Sequence, residues 1–189
     1  MCIASDAGGY WKGKRVLELG AGSGHLAVGL ANLGAAVVAT ESAESELPTS
    51  GFDQMVAWTT HLQGTRAAEG GVKFRSLHWS AEVDPAAWRG FDVVILSELY
   101  YDPDLHEVLL QTLRSVLHPG MRAFSVFCDR PFSLGFLAML DDDGTFGSTP
   151  LEPDELFSLH EDEILYMHEI TRLPEAEAEA VAPAGPAPT

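Results

Sequence analysis

Short apolar runs alternate with amphipathic stretches along this chain, which predicts strands alternating with helices. Residues 15–24, RVLELGAGSG, open the pattern. Val16, Leu17 and Leu19 are interrupted only by Glu18 and lead into a glycine-rich turn, as in a buried parallel strand. Residues 23–33 carry Leu26, Leu30 and Leu33 at helical spacing, with Ser23 as the expected N-terminal cap. Residues 35–41, AAVVATE, form a second β-branched run ending in an acid. A loop with Pro48 and Gly51 is expected over 42–52, a helix over 53–63 and a polar connection over 64–71. VKFRSLHW, 72–79, reads as a third strand, and FDVVILSE, 91–98, as the clearest central one. Residues 103–117 place Leu105, Val108, Leu109, Leu113 and Val116 on one helical stripe, stopped by His118-Pro119-Gly120. A strand over 122–128, a helix over 131–140 and a late, antiparallel strand over 163–173 complete the pattern. This alternation is that of an α/β fold with a mainly parallel sheet, whose ligands bind at the carboxyl ends of the strands.

Composition narrows the function. The 189 residues hold 11 basic and 28 acidic side chains, a net charge of −17. That balance argues against a general nucleic-acid binder and against a polybasic membrane anchor. The acid is uneven. Residues 1–140 carry 10 basic and 15 acidic side chains, whereas 141–189 carry Arg172 and 13 acids. The last sixteen residues, PEAEAEAVAPAGPAPT, cannot bury enough to offset their ordering entropy and are expected to be a disordered tail. The tail solubilises, and the acids near 141–163 are expected to form a rim for a basic substrate. The two cysteines, Cys2 and Cys128, form no CxxC and imply no disulfide framework, which suits a reducing compartment. No apolar run approaches the ~18 residues of a membrane span, and no signal-peptide pattern opens the chain. The expected location is the cytosol, with the nucleus as the alternative, and the expected state is a monomer without a membrane or nucleic-acid partner.

Four clusters carry candidate chemistry, all at strand ends. The first is Glu18-Leu19-Gly20-Ala21-Gly22-Ser23-Gly24. A dinucleotide fingerprint would need its third glycine at position 25, which is His25. A GxGxG loop with an acid two residues earlier is similar instead to the loop of S-adenosylmethionine (SAM) methyltransferases. SAM carries no phosphate, so such a loop need not cradle an anion. Gly20, Ala21, Gly22 and Gly24 would let the backbone approach the ligand, and Glu18 would anchor its amine. Glu41, at the end of the second strand, can accept hydrogen bonds from ribose hydroxyls. Trp79, in His78-Trp79-Ser80, offers a flat wall for a purine. Ser97-Glu98-Leu99-Tyr100-Tyr101-Asp102 ends the fourth strand, with Ser97 beside the cofactor. There Glu98 and Tyr101 pair a carboxylate with an aromatic hydroxyl, a combination suited to an amine. No metal is expected: His25, His61, His106, His118, His160 and His168 lack ligand spacing, and Asp141-Asp142-Asp143-Gly144 reads as a solvated turn.

On these motifs the chain resembles the seven-β-strand, SAM-dependent protein-lysine methyltransferases that carry an Asp/Glu-x-x-Tyr/Phe motif, the methyltransferase family 16 type. Glu98 and Tyr101 match the ends of that motif, and FCDR, 127–130, resembles the family's next strand with its arginine. The resemblance covers about residues 14–173. It implies strand order 3-2-1-4-5-7-6, SAM as cofactor and a protein substrate presenting a lysine, with Glu98 and Tyr101 catalytic. Family members carry more chain ahead of the glycine loop than the 15 residues preceding Val16, so the chain reads as N-terminally short. The expected layout is a short segment over 1–13, a methyltransferase domain over 14–173 and the tail over 174–189. Methylation of a small molecule or of a protein histidine stays open, as does a truncated, non-catalytic module that binds SAM or a partner.

Overall fold

Strands that are apolar on both faces need cover on both sides, and this sheet is built that way. The computed structural model describes residues 9–42, 71–80, 82–152 and 164–174. The expected helix over 53–63, most of the loops before and after it, and the expected disordered tail lie outside these residues. The strands are β1 (Arg15–Leu19), β2 (Ala36–Glu41), β3 (Val72–Ser76), β4 (Val93–Ser97), β5 (Arg122–Cys128), β6 (Phe146–Pro150) and β7 (Leu165–Arg172). The α-helices are α1 (His25–Asn32), α2 (His106–Val116) and α3 (Ser133–Asp143), with 3-10 turns at Pro85–Trp88 and Pro103–Leu105.

The seven strands form one sheet in the order β3-β2-β1-β4-β5-β7-β6. Pairs among β1 to β5 are parallel, and β7 runs antiparallel to both of its neighbours. Both the α/β architecture and the strand order implied by the resemblance are therefore observed.

Successive strand residues point to opposite faces, and each face has its own core. On one face Val16, Val37, Val93 and Ile95 pack with Ala27, Leu30 and Ala31 of α1 and with Trp11. On the other, Leu17, Leu19, Val94, Leu96, Ala123 and Phe127 pack with Leu109, Leu113 and Val116 of α2 and Phe136 and Leu140 of α3. Tyr100 is 1% exposed and stacks on Phe136 at 4.3 Å, which pins the segment after β4 to the second core. Trp88 packs into the connection before β4, with the Arg75 guanidinium 4.0 Å above its ring.

The structure corrects several local expectations. The residue preceding α1 is Gly24, in the left-handed region, and Ser23 does not cap the helix. The Ser23 hydroxyl bonds the His25 ring at 2.5 Å instead, because the glycine turn carries it past the helix entrance. β3 stops at Ser76, so His78 and Trp79 leave the sheet. The helix expected from 103 begins with a 3-10 turn, because Asp102 accepts from Asp104 N at 3.0 Å and Pro103 follows the cap. Asp141–Asp143 are the last turn of α3 rather than a solvated turn, and Gly144 ends the helix at φ +65°. Asp143 is ion-paired with Arg114, which holds its carboxyl below the usual range against the opposing effect of burial. Strand β6 carries no signal of its own in the sequence.

Candidate functional site

Parallel strands that stop together leave their carboxyl ends lining one edge, and the loops leaving them enclose a cleft there. The cleft has a volume of about 880 Å³. The turn after β1 supplies Glu18, Gly20, Ala21 and Gly22 to its wall; the end of β2 supplies Glu41; the loop after β3 supplies His78 and Trp79. The end of β4 adds Ser97, Glu98, Leu99 and Tyr101. Every sequence-derived candidate except Gly24 lines this cleft, and Gly24 stands one step behind at the entrance of α1.

The glycine turn is held by the neighbouring strand. Ala21 N donates to Thr40 O at 2.8 Å, and the Thr40 hydroxyl donates to Glu18 O at 2.8 Å. Gly22 N donates to Glu41 Oε2 at 2.9 Å, so the second candidate acid fixes the loop made by the first strand. Glu41 Oε1 accepts from Ser42 N at 3.0 Å. The reason for glycine differs from the expectation of room for a ligand. At Gly20 (φ +57°) a Cβ would lie 2.6 Å from Leu99 Cδ2 and 3.2 Å from the Trp79 ring. At Gly22 (φ +51°) it would meet nothing. We therefore expect Gly20→Ala to lower unfolding free energy by about 2–4 kcal/mol, from the left-handed backbone plus overpacking. Gly22→Ala should cost only about 1–2 kcal/mol. Denaturant titration of the two variants checks this, and equal losses would show that the Leu99 contact relaxes without cost.

Glu18 is the most perturbed group in the cleft. It is 2% exposed, and its Oε2 has no hydrogen-bond partner. Burial pushes its carboxyl up to about 8; the Glu41 charge adds to the rise and a backbone bond at Ala27 opposes it. A buried carboxylate with an unpaired oxygen is costly unless a donor arrives, and an ammonium is the donor that suits it best.

Glu98 sits at the other end of the cleft in an unusual backbone conformation. It is one of two non-glycine residues at positive φ among the described residues, at +56°. Its amide donates to Val126 O at 2.9 Å, which holds the strained turn against β5. Its carboxylate is gripped from the same side: Oε1 accepts from Cys128 N at 2.9 Å, and Oε2 pairs with Arg130 Nη2 at 2.9 Å. Tyr101 is 57% exposed at the cleft rim, whereas Tyr100 is buried beneath. Burial also raises the Tyr100 hydroxyl well above the ordinary tyrosine value. In the sequence only motif spacing distinguishes the two; Tyr101 lines the cleft and Tyr100 lies in the core.

Several residues at the site were missed. Asp104, Leu105 and Val108 line the cleft, and Leu105 and Val108 had been read only as a core-facing stripe. Arg130 contacts Glu98 from a neighbouring strand end, a relation that needs the β4–β5 pairing to be seen. Beside it, Asp129, Arg130, Pro131, Phe132 and Leu134 line a second hollow of about 370 Å³. The large apolar side chains left exposed among the described residues are Tyr101, Leu105, Phe132, Leu134 and Ile164. All follow β4 or β5 or precede β7, at the edge where the cleft opens, and Ile164 O accepts from Asp129 N at 2.8 Å. The acidic rim expected from Asp141–Asp143 is not there. Those residues sit beside Arg114 in the last turn of α2, at the opposite end of the sheet, because α3 runs back after β5. Glu161–Glu163 lie outside the described residues.

The family model for lysine methyltransferases matches residues 4–133. The protein N-lysine methyltransferase METTL21A of Danio rerio is 33% identical over 103 residues, 54% of this chain and 44% of that protein. The ubiquinone biosynthesis O-methyltransferase of Dinoroseobacter shibae is 31% identical over 110 residues, 58% of this chain and 39% of that protein. The chain thus spans less than half the length of these relatives. Among solved structures, the magnesium protoporphyrin IX methyltransferase of Synechocystis PCC 6803 with bound SAM superposes with a TM-score of 0.61 at 17% identity. That match covers 90% of this chain and 74% of the other, and it speaks for the fold.

Proposed function

Because the chain belongs to the lysine methyltransferase family, we propose that it is a SAM-dependent methyltransferase acting on a lysine side chain of a protein. The observation that carries the reading is the pairing of two different acids at the two ends of one cleft. Glu18 is buried with an orphaned oxygen, and Glu98 is held rigidly at the mouth.

The residues present fit the cofactor. Glu18 Oε2 lacks the donor that the amine of a methionine moiety supplies. Glu41, already braced by Gly22 N and Ser42 N, retains acceptor capacity for ribose hydroxyls. Trp79 is half-buried against the core and presents a flat ring to the cleft. When bound, SAM supplies an electrophilic methyl group on a sulfonium. The chain's own contribution is then to orient an amine: Glu98 accepts from it, Tyr101 packs beside it, and the burial around Leu99 excludes water.

The exposed apolar side chains around the cleft mouth support a macromolecular acceptor, since such patches mark surfaces for partners. The O-methyltransferase relative supports a second reading, a small-molecule acceptor. Labelled SAM incubated with a cell lysate separates the two, with the acceptor read by mass spectrometry. Label on protein lysine is the expected result. Label confined to small molecules would overturn the lysine reading and favour the second. Calorimetry with SAM and its demethylated product should show binding, and its absence would remove the cofactor from the proposal.

A further inference from the structure

Methyl transfer to an amine needs a lone pair, and an ordinary lysine, near 10.4, has none available at neutral pH. The cleft makes this harder. Among the described residues, Glu18, Glu41, Glu98 and Asp104 line it, and no lysine or arginine does. Carboxylates within about 4–6 Å favour the charged form of an amine. A carboxylate that orients the amine therefore also works against its reactivity.

We propose that Arg130 offsets this conflict: its guanidinium, held on Glu98, disfavours the ammonium form of the acceptor lysine, so that the amine oriented by Glu98 is neutral. The inference rests on the lysine reading above. Arg130 Nη2 lies 2.9 Å from Glu98 Oε2, and Cys128 N donates to Oε1 at 2.9 Å, so both carboxylate oxygens have a partner on the β5 side. The guanidinium lies in the hollow beside the cleft, and an amine accepted by the remaining lone pairs of Glu98 from the cleft side shares that carboxylate with it, within about 4–6 Å. Like charge disfavours protonation there.

Among the described residues, those lining the cleft and the hollow beside it include no lysine or arginine besides Arg130. The connection after β4 and the start of α2 bring Tyr100, Tyr101, Asp102, Asp104 and His106. Cys128 and Asp129 precede Arg130 at the end of β5, and β7 brings Tyr166, stacked on Phe127 at 5.3 Å. From the far half of the cleft come Glu18, Glu41, His25 and His78. His106 is occupied at the Tyr100 carbonyl, 3.1 Å away. The Arg130 and Glu98 side chains are 49% and 36% exposed, and ion pairs of that exposure add little to stability. The pair is therefore better explained by the chemistry beside it than by folding.

The step balances simply. The acceptor ammonium first loses a proton to water. The nitrogen lone pair then forms the N–C bond while the C–S bond breaks, and its electron pair stays on sulfur as a neutral thioether. The new methylammonium carries the positive charge.

The test uses the lysine-bearing acceptor identified by the lysate labelling, as purified protein. For Arg130→Gln, the pH limb of kcat should move up by about one unit, cutting turnover about tenfold at pH 7.5 and converging with the parent near pH 10. Its KM for the acceptor should stay level or fall, because the ammonium now binds Glu98 unopposed. Arg130→Lys should keep the parental limb. A second readout needs no turnover: the ε-carbon NMR shift of a 13C-labelled acceptor lysine, in complex with the demethylated cofactor. Its titration midpoint should rise by about one unit in Arg130→Gln. A loss of rate that is uniform in pH, with an unmoved midpoint, would overturn the inference and leave Arg130 as a prop for Glu98. If the parent labels no lysine at all, the lysine reading itself fails and this inference falls with it.

Discussion

Glu98→Ala is expected to slow methyl transfer about 100- to 1,000-fold while SAM affinity stays within about threefold. The size follows from what the side chain does in the proposed site. It touches the acceptor rather than the cofactor, and misplacing a nucleophile by about 1 Å costs roughly 100-fold. Its loss removes an oriented, charge-assisted acceptor at the reacting atom. The backbone there is at φ +56° and is tied to Val126, so the variant keeps its turn and the effect falls on chemistry. Tyr101→Phe should lower turnover in the same direction without touching the core, since that side chain is more than half exposed. Single-turnover assays and calorimetry check both variants. Parental turnover in both would move the chemistry away from the end of β4.

Glu18→Gln has the second-largest expected effect, and its signature runs in two opposite directions. SAM affinity should fall roughly 10- to 100-fold, the worth of a charge-assisted hydrogen bond in a buried site. Thermal stability of the ligand-free protein at pH 8 should rise. The folded-state value of Glu18 is about 8, raised from 4.5. The folded protein thus binds this proton more tightly than the unfolded chain does. Stability from Glu18 is complete below about pH 4.5 and is lost as pH climbs through about 8. A glutamine never ionises, so the variant should escape roughly 2–4 kcal/mol of that loss, or about 5–10 °C in melting temperature. In the parent, SAM affinity should strengthen as pH rises toward 8, with about one proton released on binding near pH 7. Above 8 it should weaken as the ligand's own α-amine loses its charge. Melting curves over pH 5–9 and calorimetry in buffers of different ionisation enthalpy test this. A flat stability profile in the parent would mean that Glu18 is solvated in the empty cleft.

How much of this was legible in the sequence depended on what decides each element. The strand over 122–128 was legible to the residue through its alternating buried positions, and β1, β2 and β4 nearly so, because burial on both faces writes a near-continuous apolar run. β6 was not. Phe146-Gly147-Ser148-Thr149-Pro150 has no strand pattern, and it becomes a strand only because β7 offers it an edge. Asp141–Asp143 look like a solvated turn until Arg114, 29 residues earlier, arrives to pair with Asp143. In the site, Glu18, Glu41 and Glu98 could be named because each ends or nearly ends an apolar run. The raised value at Glu18 could not, since it depends on burial by α1 and on the charge of Glu41. The Arg130 contact was equally hidden, because it crosses between two strand ends that sequence spacing does not join.

The position of β7 has a consequence for how the molecule is made. It follows every other strand in the chain, yet it lies between β5 and β6. During synthesis β5 therefore waits with an open edge, and Phe127 without its Tyr166 partner, until residues 165–172 have emerged. The amide of Cys128, which grips Glu98, lies on the other edge of β5, toward β4, where Glu98 N also meets Val126 O; Asp129 N is the amide turned toward the β7 side, to Ile164 O. A nascent chain stopped before Leu165 would hold the glycine loop and the β4–β5 contacts around Glu98, but would leave β5 with a bare edge and β6 with no strand to pair. The sheet is then closed from within, as the last-made strand slides into its middle and gives β6 its partner in one motion.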